Sequence, residues 1–306
     1  MRAAALVVAA ASCLALLLGG CAAQQPHTAA LAPAAAAALR PGSPPVTDAA
    51  TLAALEQILA GEHRSESNRL RDIYRHPLET LRFFGVRSDQ TVMEVWAGPA
   101  GWYTEILAPL LRQHGHYIAA NWDPKSDLKA IQDGNAAFRS KLDGNPALYD
   151  RVTVTALQAP GALAPVPPGS VDVVLSFRNL HNWLARDSAA AMLKAMYDAL
   201  KPGGILGLVD HRADPLAPPD PKARMGYVSE AYAIELATAA GFQLLARSEI
   251  NANPKDSRDY EQGVWSLPPT WRLGDKDRER YAAIGESDRF TLRFVKPLTA
   301  RVGPPP

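Results

Sequence analysis

The chain has 306 residues and a formal net charge of +1, from 32 basic and 31 acidic side chains. That length holds one or two domains with a sizeable core, and the near-neutral balance leaves no electrostatic footprint for nucleic acid or another polyanion. Both cysteines, Cys13 and Cys21, lie in the first 21 residues, so the remainder has no disulfide, no cysteine-built metal site and no thiol nucleophile.

Residues 1–20 read as an export signal, because Arg2 precedes an uncharged apolar run too short and too alanine-rich for a membrane-spanning helix. Leu18-Gly19-Gly20-Cys21 resembles a bacterial lipobox, in which small residues enter the cleavage pocket and the cysteine accepts diacylglycerol. An ordinary secretory signal or a retained N-terminal anchor is the other reading. Lipidation of Cys21 implies a lipoprotein held at the periplasmic face of a bacterial membrane. Ala22 after the cysteine favours the outer membrane if the cell is Gram-negative. Residues 21–47 are an Ala/Pro-rich tether that cannot pack a core, and the folded domain is expected over 48–306.

Residues 48–60 and 64–75 have helical spacing, with Leu70, Ile73 and Tyr74 on one face. Pro77 suits a helix first turn, and Leu78, Leu81 and Phe84 continue the stripe. The pattern then alternates. Thr91–Trp96, His116–Trp122, Arg151–Thr155, Val171–Ser176, Ile205–His211 and Phe242–Ile250 read as strands. Helices are expected around Tyr103–Leu111, Leu128–Leu142, from about Asp187 to Leu200, and up to Gly241. Apolar strands separated by amphipathic helices predict a doubly wound α/β fold with a parallel sheet covered on both faces. Arg289–Val295 alternates Phe290, Leu292 and Phe294 with Arg289, Thr291 and Arg293, as a half-exposed antiparallel last strand would. Residues 251–288 form a long polar insert rich in Pro, Gly and Trp, the kind of segment that builds lids and walls, with Trp265, Trp271 and Arg272 as candidate wall residues.

Ligands of such sheets bind beyond the carboxyl ends of the strands near the switch point. After the first strand stands Glu94-Val95-Trp96-Ala97-Gly98-Pro99-Ala100-Gly101, where small residues let backbone amides approach a ligand. Glu94 ends a buried strand, a costly place for an acid without partners. Asp123, 29 residues later, ends the next strand, where an acid characteristically grips ribose hydroxyls.

These residues resemble class I S-adenosylmethionine-dependent methyltransferases, in particular an exported group of predicted methyltransferases, over about residues 63–297. Asp172-Val173-Val174-Leu175-Ser176 resembles that family's fourth strand, and Leu200-Lys201-Pro202-Gly203-Gly204 its turn before strand five. The resemblance implies a Rossmann-like seven-stranded sheet whose antiparallel last strand lies between strands five and six. It implies S-adenosylmethionine as cofactor, contacted by Glu94, Trp96, Gly98, Ala100, Asp123, Gln158 and Ser176. It also implies a methyl acceptor beside Arg178, Asn179, Asn182 and Arg212, with His181, His211 and Asp210 as candidate catalytic groups; the neutral charge and the Trp/Pro-rich insert point to a small-molecule acceptor. Three positions depart from the pattern: Trp96 and Ala100 replace glycines of the first motif, and Gln158 stands where an acid usually meets adenine.

A nicotinamide-dependent oxidoreductase fits less well, because G-x-G-x-x-G is absent. No G-x-S-x-G elbow or H-E-x-x-H metal spacing occurs. The rival from another class is a tethered ligand-binding module that keeps the fold without catalysis. Its motive is that export removes the domain from the compartment where the cofactor is made. Replacing Cys21 with Ser is expected to leave an uncleaved or unanchored precursor; normal processing and membrane fractionation would contradict lipidation there.

Overall fold

Pro77 decides how the N-terminal helices end. The residue before a proline is sterically barred from the right-handed helical region, and His76 adopts φ 40°. In this computed structural model, which describes residues 45–218 and 220–298, the helix expected over 64–75 does end at Arg75, but it is two short turns separated at Leu70 and Arg71. The expectations for the leader, Cys21 and the tether up to residue 44 lie outside the described residues. After α1 (Ala49–Leu59), capped by the Asp48 carboxylate on the Thr51 N–H, come α2 (Glu66–Arg69), α3 (Asp72–Arg75) and α4 (Pro77–Phe84). Arg64 lies buried and forks onto Asp72, while Leu70 and Ile73, expected on the packed face, are 67% and 69% exposed.

The remaining elements are β1 (Thr91–Val95), α5 (Thr104–Leu111), β2 (His116–Asn121), α6 (Lys129–Asp143), α7 (Pro146–Tyr149), β3 (Thr153–Ala156), β4 (Val171–Phe177), α8 (Leu180–Ala185), α9 (Ala189–Ala199), β5 (Leu200–His211), α10 (Glu230–Ala239), β6 (Gln243–Ser248), α11 (Arg278–Ile284) and β7 (Arg289–Val295). Among these described residues, no helix is long and apolar enough to cross a membrane. The seven strands form one sheet in the order β3-β2-β1-β4-β5-β7-β6, with β7 antiparallel to both neighbours. The strand order reverses between β1 and β4, which makes their carboxyl ends the switch point. Lys201-Pro202-Gly203-Gly204, expected as a turn before β5, lies within that strand and is absorbed by a register shift between Val171 and Val173 on β4.

Alternate residues of the strands feed two cores. Met93, Val95, Val174, Leu206 and Leu208 meet Met192, Leu193 and Met196 of α9 and Phe242 on one face. Val92, Val173, Leu175 and Ile205 meet Leu81, Phe84, Ile106, Leu107 and Phe138 on the other. Each such buried side chain contributes roughly 1.5–3 kcal/mol over its exposed state. Strand β7 is not half-exposed as expected. Thr291 is fully buried and Arg289 nearly so, because the N-terminal helices and the segment after β6 roof that face. Asn251 Nδ2 donates to Thr80 Oγ1 and Thr291 Oγ1 there, and the Arg289 guanidinium donates to the Tyr74 carbonyl. The half-exposed edge is β6.

Phe84 of α4 can approach the sheet because β5 carries Gly207 beneath it: a Cβ at Gly207 would lie 2.7 Å from the Phe84 ring. Replacing Gly207 with Val is expected to cost about 1–3 kcal/mol by overpacking, read as a lower urea midpoint with an unchanged m-value. A neutral result would contradict this packing.

Candidate functional site

The carboxyl ends of β1 and β4 hold the expected loops in tightly specified conformations. Trp96 takes φ 53°, Gly98 φ 73° and Arg178 φ 61°. For a tryptophan and an arginine this left-handed backbone is unfavourable, and it persists only where surrounding contacts hold it. Trp96 Nε1 donates to the Leu157 carbonyl at 2.8 Å, and its ring lies 5.8 Å from both Trp122 and Trp183. The Arg178 N–H donates to the Val209 carbonyl at 2.7 Å.

A cavity of about 450 Å³ opens on one side of Trp96, lined also by Trp122, Leu128, Ile131, Gln158, Asn179 and Asn182. Beside it, Asp123 closes a turn, its Oδ1 accepting from the Lys125 N–H. The Asp123 N–H donates to Gln158 Oε1 at 3.1 Å, which leaves the Gln158 amide nitrogen as the group offered to a ligand. A Cβ at Gly98 would meet nothing within 4 Å, so a ligand can approach that backbone closely. Ala100 is exposed in the same turn, and Ser176 is buried with its hydroxyl unpartnered among the described residues. Asn179 Nδ2 donates to the Val95 carbonyl and ties the loop after β4 to the end of β1.

Glu94 lies deeper. Its Oε2 accepts from Tyr117 OH at 2.5 Å, and that hydroxyl also meets Thr104 Oγ1 at 2.9 Å. Burial pushes the Glu94 carboxyl up to about 7, against the lowering influence of Tyr117 and Arg75.

Asp210, at the end of β5 and fully buried, gathers the second half of the site. Its Oδ2 accepts from the His181 N–H, and its Oδ1 accepts from His181 Nδ1 at 2.9 Å and from the His211 N–H at 2.8 Å. A carboxylate at Nδ1 fixes the imidazole tautomer and leaves Nε2 with a lone pair; His181 Nε2 has no hydrogen bond among the described residues. His181 opens α8, a short helix where a loop was expected after β4. The ring of His211 stands 5.1 Å from that of His181, and its Nδ1 contacts Ser287 Oγ at 2.5 Å. Burial, then His181 and Arg178, hold His211 well below the usual imidazole range, so it is neutral.

A smaller cavity of about 150 Å³ lies over the ends of β4 and β5, lined by Arg178, His181, His211, Trp265, Thr270, Glu286 and Ser287. Trp265 thus forms a wall as expected, with Arg272 stacked on it at 4.6 Å. Trp271 packs instead against the separate cluster of Tyr260, Leu267 and Tyr281 inside the insert. Arg212 is drawn away from acceptor binding: its guanidinium pairs with Glu249, Asp288 and Glu230, which raises its pKa. Sequence spacing offered no metal motif, yet the fold brings donor atoms of His181, Asp210 and His211 within 4.8 Å of one another. Arg178, Arg289 and Arg75 stand close enough to lower the His211 pKa, and their positive charge opposes a cation there. Another cavity, of about 390 Å³, sits at the opposite sheet edge near His116 and Thr153, the first residues of β2 and β3. It gathers none of these groups.

Residues 97–208 match the model of a family described as a methyltransferase domain. The fold is that of class I methyltransferases. A S-adenosylmethionine-dependent methyltransferase from Aquifex aeolicus is similar at 15% identity and a TM-score of 0.50, over 74% of this chain and 92% of that one. The [4+2]-cyclase SpnF is similar at 17% identity and the same TM-score, over 81% and 93%. A comparison with the curated proteins returns no match. The domain match and the fold imply S-adenosylmethionine as the cofactor. The residues present fit its adenosyl part: the open backbone at Gly98, the Asp123 carboxylate, the Gln158 amide and the apolar slot of Trp122, Leu128 and Ile131.

Because the pKa of Glu94 in the folded chain lies above its ordinary value of 4.5, the folded state keeps a proton that the unfolded state has released between pH 4.5 and about 7. Stability therefore falls as pH rises through that window, by up to about 3 kcal/mol. Glu94→Gln should flatten the fall. Urea unfolding free energies of the two proteins that decline in parallel from about pH 5 to 7 would contradict it.

Proposed function

We propose that the chain is a S-adenosylmethionine-dependent methyltransferase acting on a small-molecule acceptor, exported and anchored to the periplasmic face of a bacterial membrane through lipidated Cys21. The observation that carries the catalytic reading is the Asp210–His181 pair, aimed from the ends of β4 and β5 into a cavity beside the one that suits an adenosyl group. Successive residues of α8 serve the two sides, His181 lining the smaller cavity and Asn182 the larger.

When bound, the cofactor supplies an electrophilic methyl group. Asp123 and Gln158 hold the adenosyl end, and the apolar slot excludes water from it. Asp210 keeps the proton on His181 Nδ1, so that Nε2 takes a proton from the acceptor, the pairing that general-base catalysis requires. Such a base contributes roughly 10²–10⁴-fold in rate. His211, whose proton affinity burial holds well below the usual imidazole range, is too weak a base to compete for that proton.

The second reading, a tethered ligand-binding module without catalysis, is favoured by one observation. Trp96 occupies a glycine position of the first motif and is fastened to Leu157, so that an indole lines the larger cavity where the motif has only backbone. Calorimetric titration of the full chain with S-adenosylmethionine, S-adenosylhomocysteine and NAD separates the two. The adenosyl compounds are expected to bind and NAD not, and Asp123→Ala should weaken them about tenfold or more, as loss of a charged hydrogen-bond acceptor does. Absence of adenosyl binding would overturn the enzyme reading in favour of the module.

A further inference from the structure

The smaller cavity is electrically unbalanced. Glu286, buried against it, receives Arg71 at 2.6 Å, Arg75 at 3.3 Å and Arg289 at 3.1 Å. Burial raises its pKa, but the arginines, Arg75 foremost, together hold it below the usual carboxylate range. A fourth guanidinium, Arg178, is the one of the four that lines the cavity itself, beside Glu286. Against these four cations stand the carboxylates Glu286 and Asp210, with Glu94 deeper in the fold acting on Arg75, and Asp210 is already committed to three N–H donors. Among the described residues, Nη2 of the nearly buried Arg75 and of Arg71 has no hydrogen-bond partner, and the half-buried Arg178 presents its guanidinium to the cavity without a side-chain hydrogen bond to the protein. Burial lowers the Arg178 pKa to about 10.

Unpaired guanidinium groups at partly dry positions are costly unless an anion completes them. Here the cost is built in, because Arg178 is held in a left-handed backbone conformation that directs it to this place. Its neighbours on the cavity wall, Thr270 and Ser287, bring hydroxyls, and Trp265 brings an apolar face. A planar oxyanion matches the guanidinium fork, and a volume of about 150 Å³ suits a short organic acid rather than a nucleotide.

We infer that this cavity binds the carboxylate of the acceptor, with Arg178 as its principal cation, so that the substrate class is small organic acids presented to His181. The inference rests on the methyltransferase reading of the site, since it takes the ligand for the acceptor. The same oxyanion chemistry belongs to the amino-acid end of the cofactor, and the test separates the two sources.

Calorimetric titration of the full chain with propionate, and with propionamide as the uncharged control, is run with and without saturating S-adenosylhomocysteine. Expected are binding of propionate but not of the amide, persistence of that binding beside S-adenosylhomocysteine, and about tenfold or greater loss in Arg178→Gln, whose folding is checked by its unfolding midpoint. No preference for the acid over the amide in the wild-type chain would overturn the anion site without touching the cofactor reading. Competition by S-adenosylhomocysteine would overturn the acceptor assignment and give the cavity to the cofactor's own carboxylate. Propionate binding in a chain that takes no S-adenosylhomocysteine would overturn the transferase reading, and the acceptor assignment with it.

Discussion

Asp210 is a carboxylate with no exposure to solvent, and the site is arranged around the need to satisfy it. Burying an unpaired charge costs several kcal/mol, and here three N–H donors from two segments offset that cost. Two come from His181 at the start of α8 and one from His211 at the end of β5. The same contacts therefore close the loop after β4 onto β5, fix the His181 tautomer and set the two imidazoles 5.1 Å apart. Removing the carboxylate would release all of these at once, so stability and chemistry are coupled at this residue.

The adenosyl side follows a different logic. Its polar groups are few, and most are already committed within the protein: Asp123 Oδ1 to a turn, Gln158 Oε1 to the Asp123 N–H, Asn179 to Val95. What remains is an apolar slot with a free amide nitrogen and an open backbone at Gly98, which is sufficient for orientation once aromatic surface supplies most of the burial. The fold alone does not choose the reaction, since its structural neighbours include both a methyltransferase and a [4+2]-cyclase. The choice rests on the side chains gathered over β4 and β5.

Much of the frame was legible because sheet and helix periodicities are local. The strands, the helix carrying Met192, Leu193 and Met196, and the position of β7 between β5 and β6 agree with the sequence reading. The errors came from contacts made over long separations. Strand β7 looked half-exposed because nothing local reveals that Thr80 and Asn251 would meet over Thr291. Arg212 looked like a free cation because its partners lie 18, 37 and 76 residues away. Helix α8 was missed because six residues are too few for a helical period to declare itself. His181, Asp210 and His211, expected from their places at strand ends, are brought together by the fold, whereas Thr270, Glu286 and Ser287, which line the same cavity, belong to an irregular insert with no period to single them out. The Pro77 constraint at His76 accounts for the end of the helix expected over 64–75, but not for the break at Leu70 and Arg71 inside it.

The most direct test of the account is a crystal structure of the chain grown with S-adenosylhomocysteine. The account predicts adenine in the slot between Trp122 and Gln158, the ribose hydroxyls on Asp123, and the sulfur directed past Trp96 toward the first turn of α8. A slot left closed by Trp96, with no adenosyl group in it, would contradict the assignment of this site to a methyltransferase.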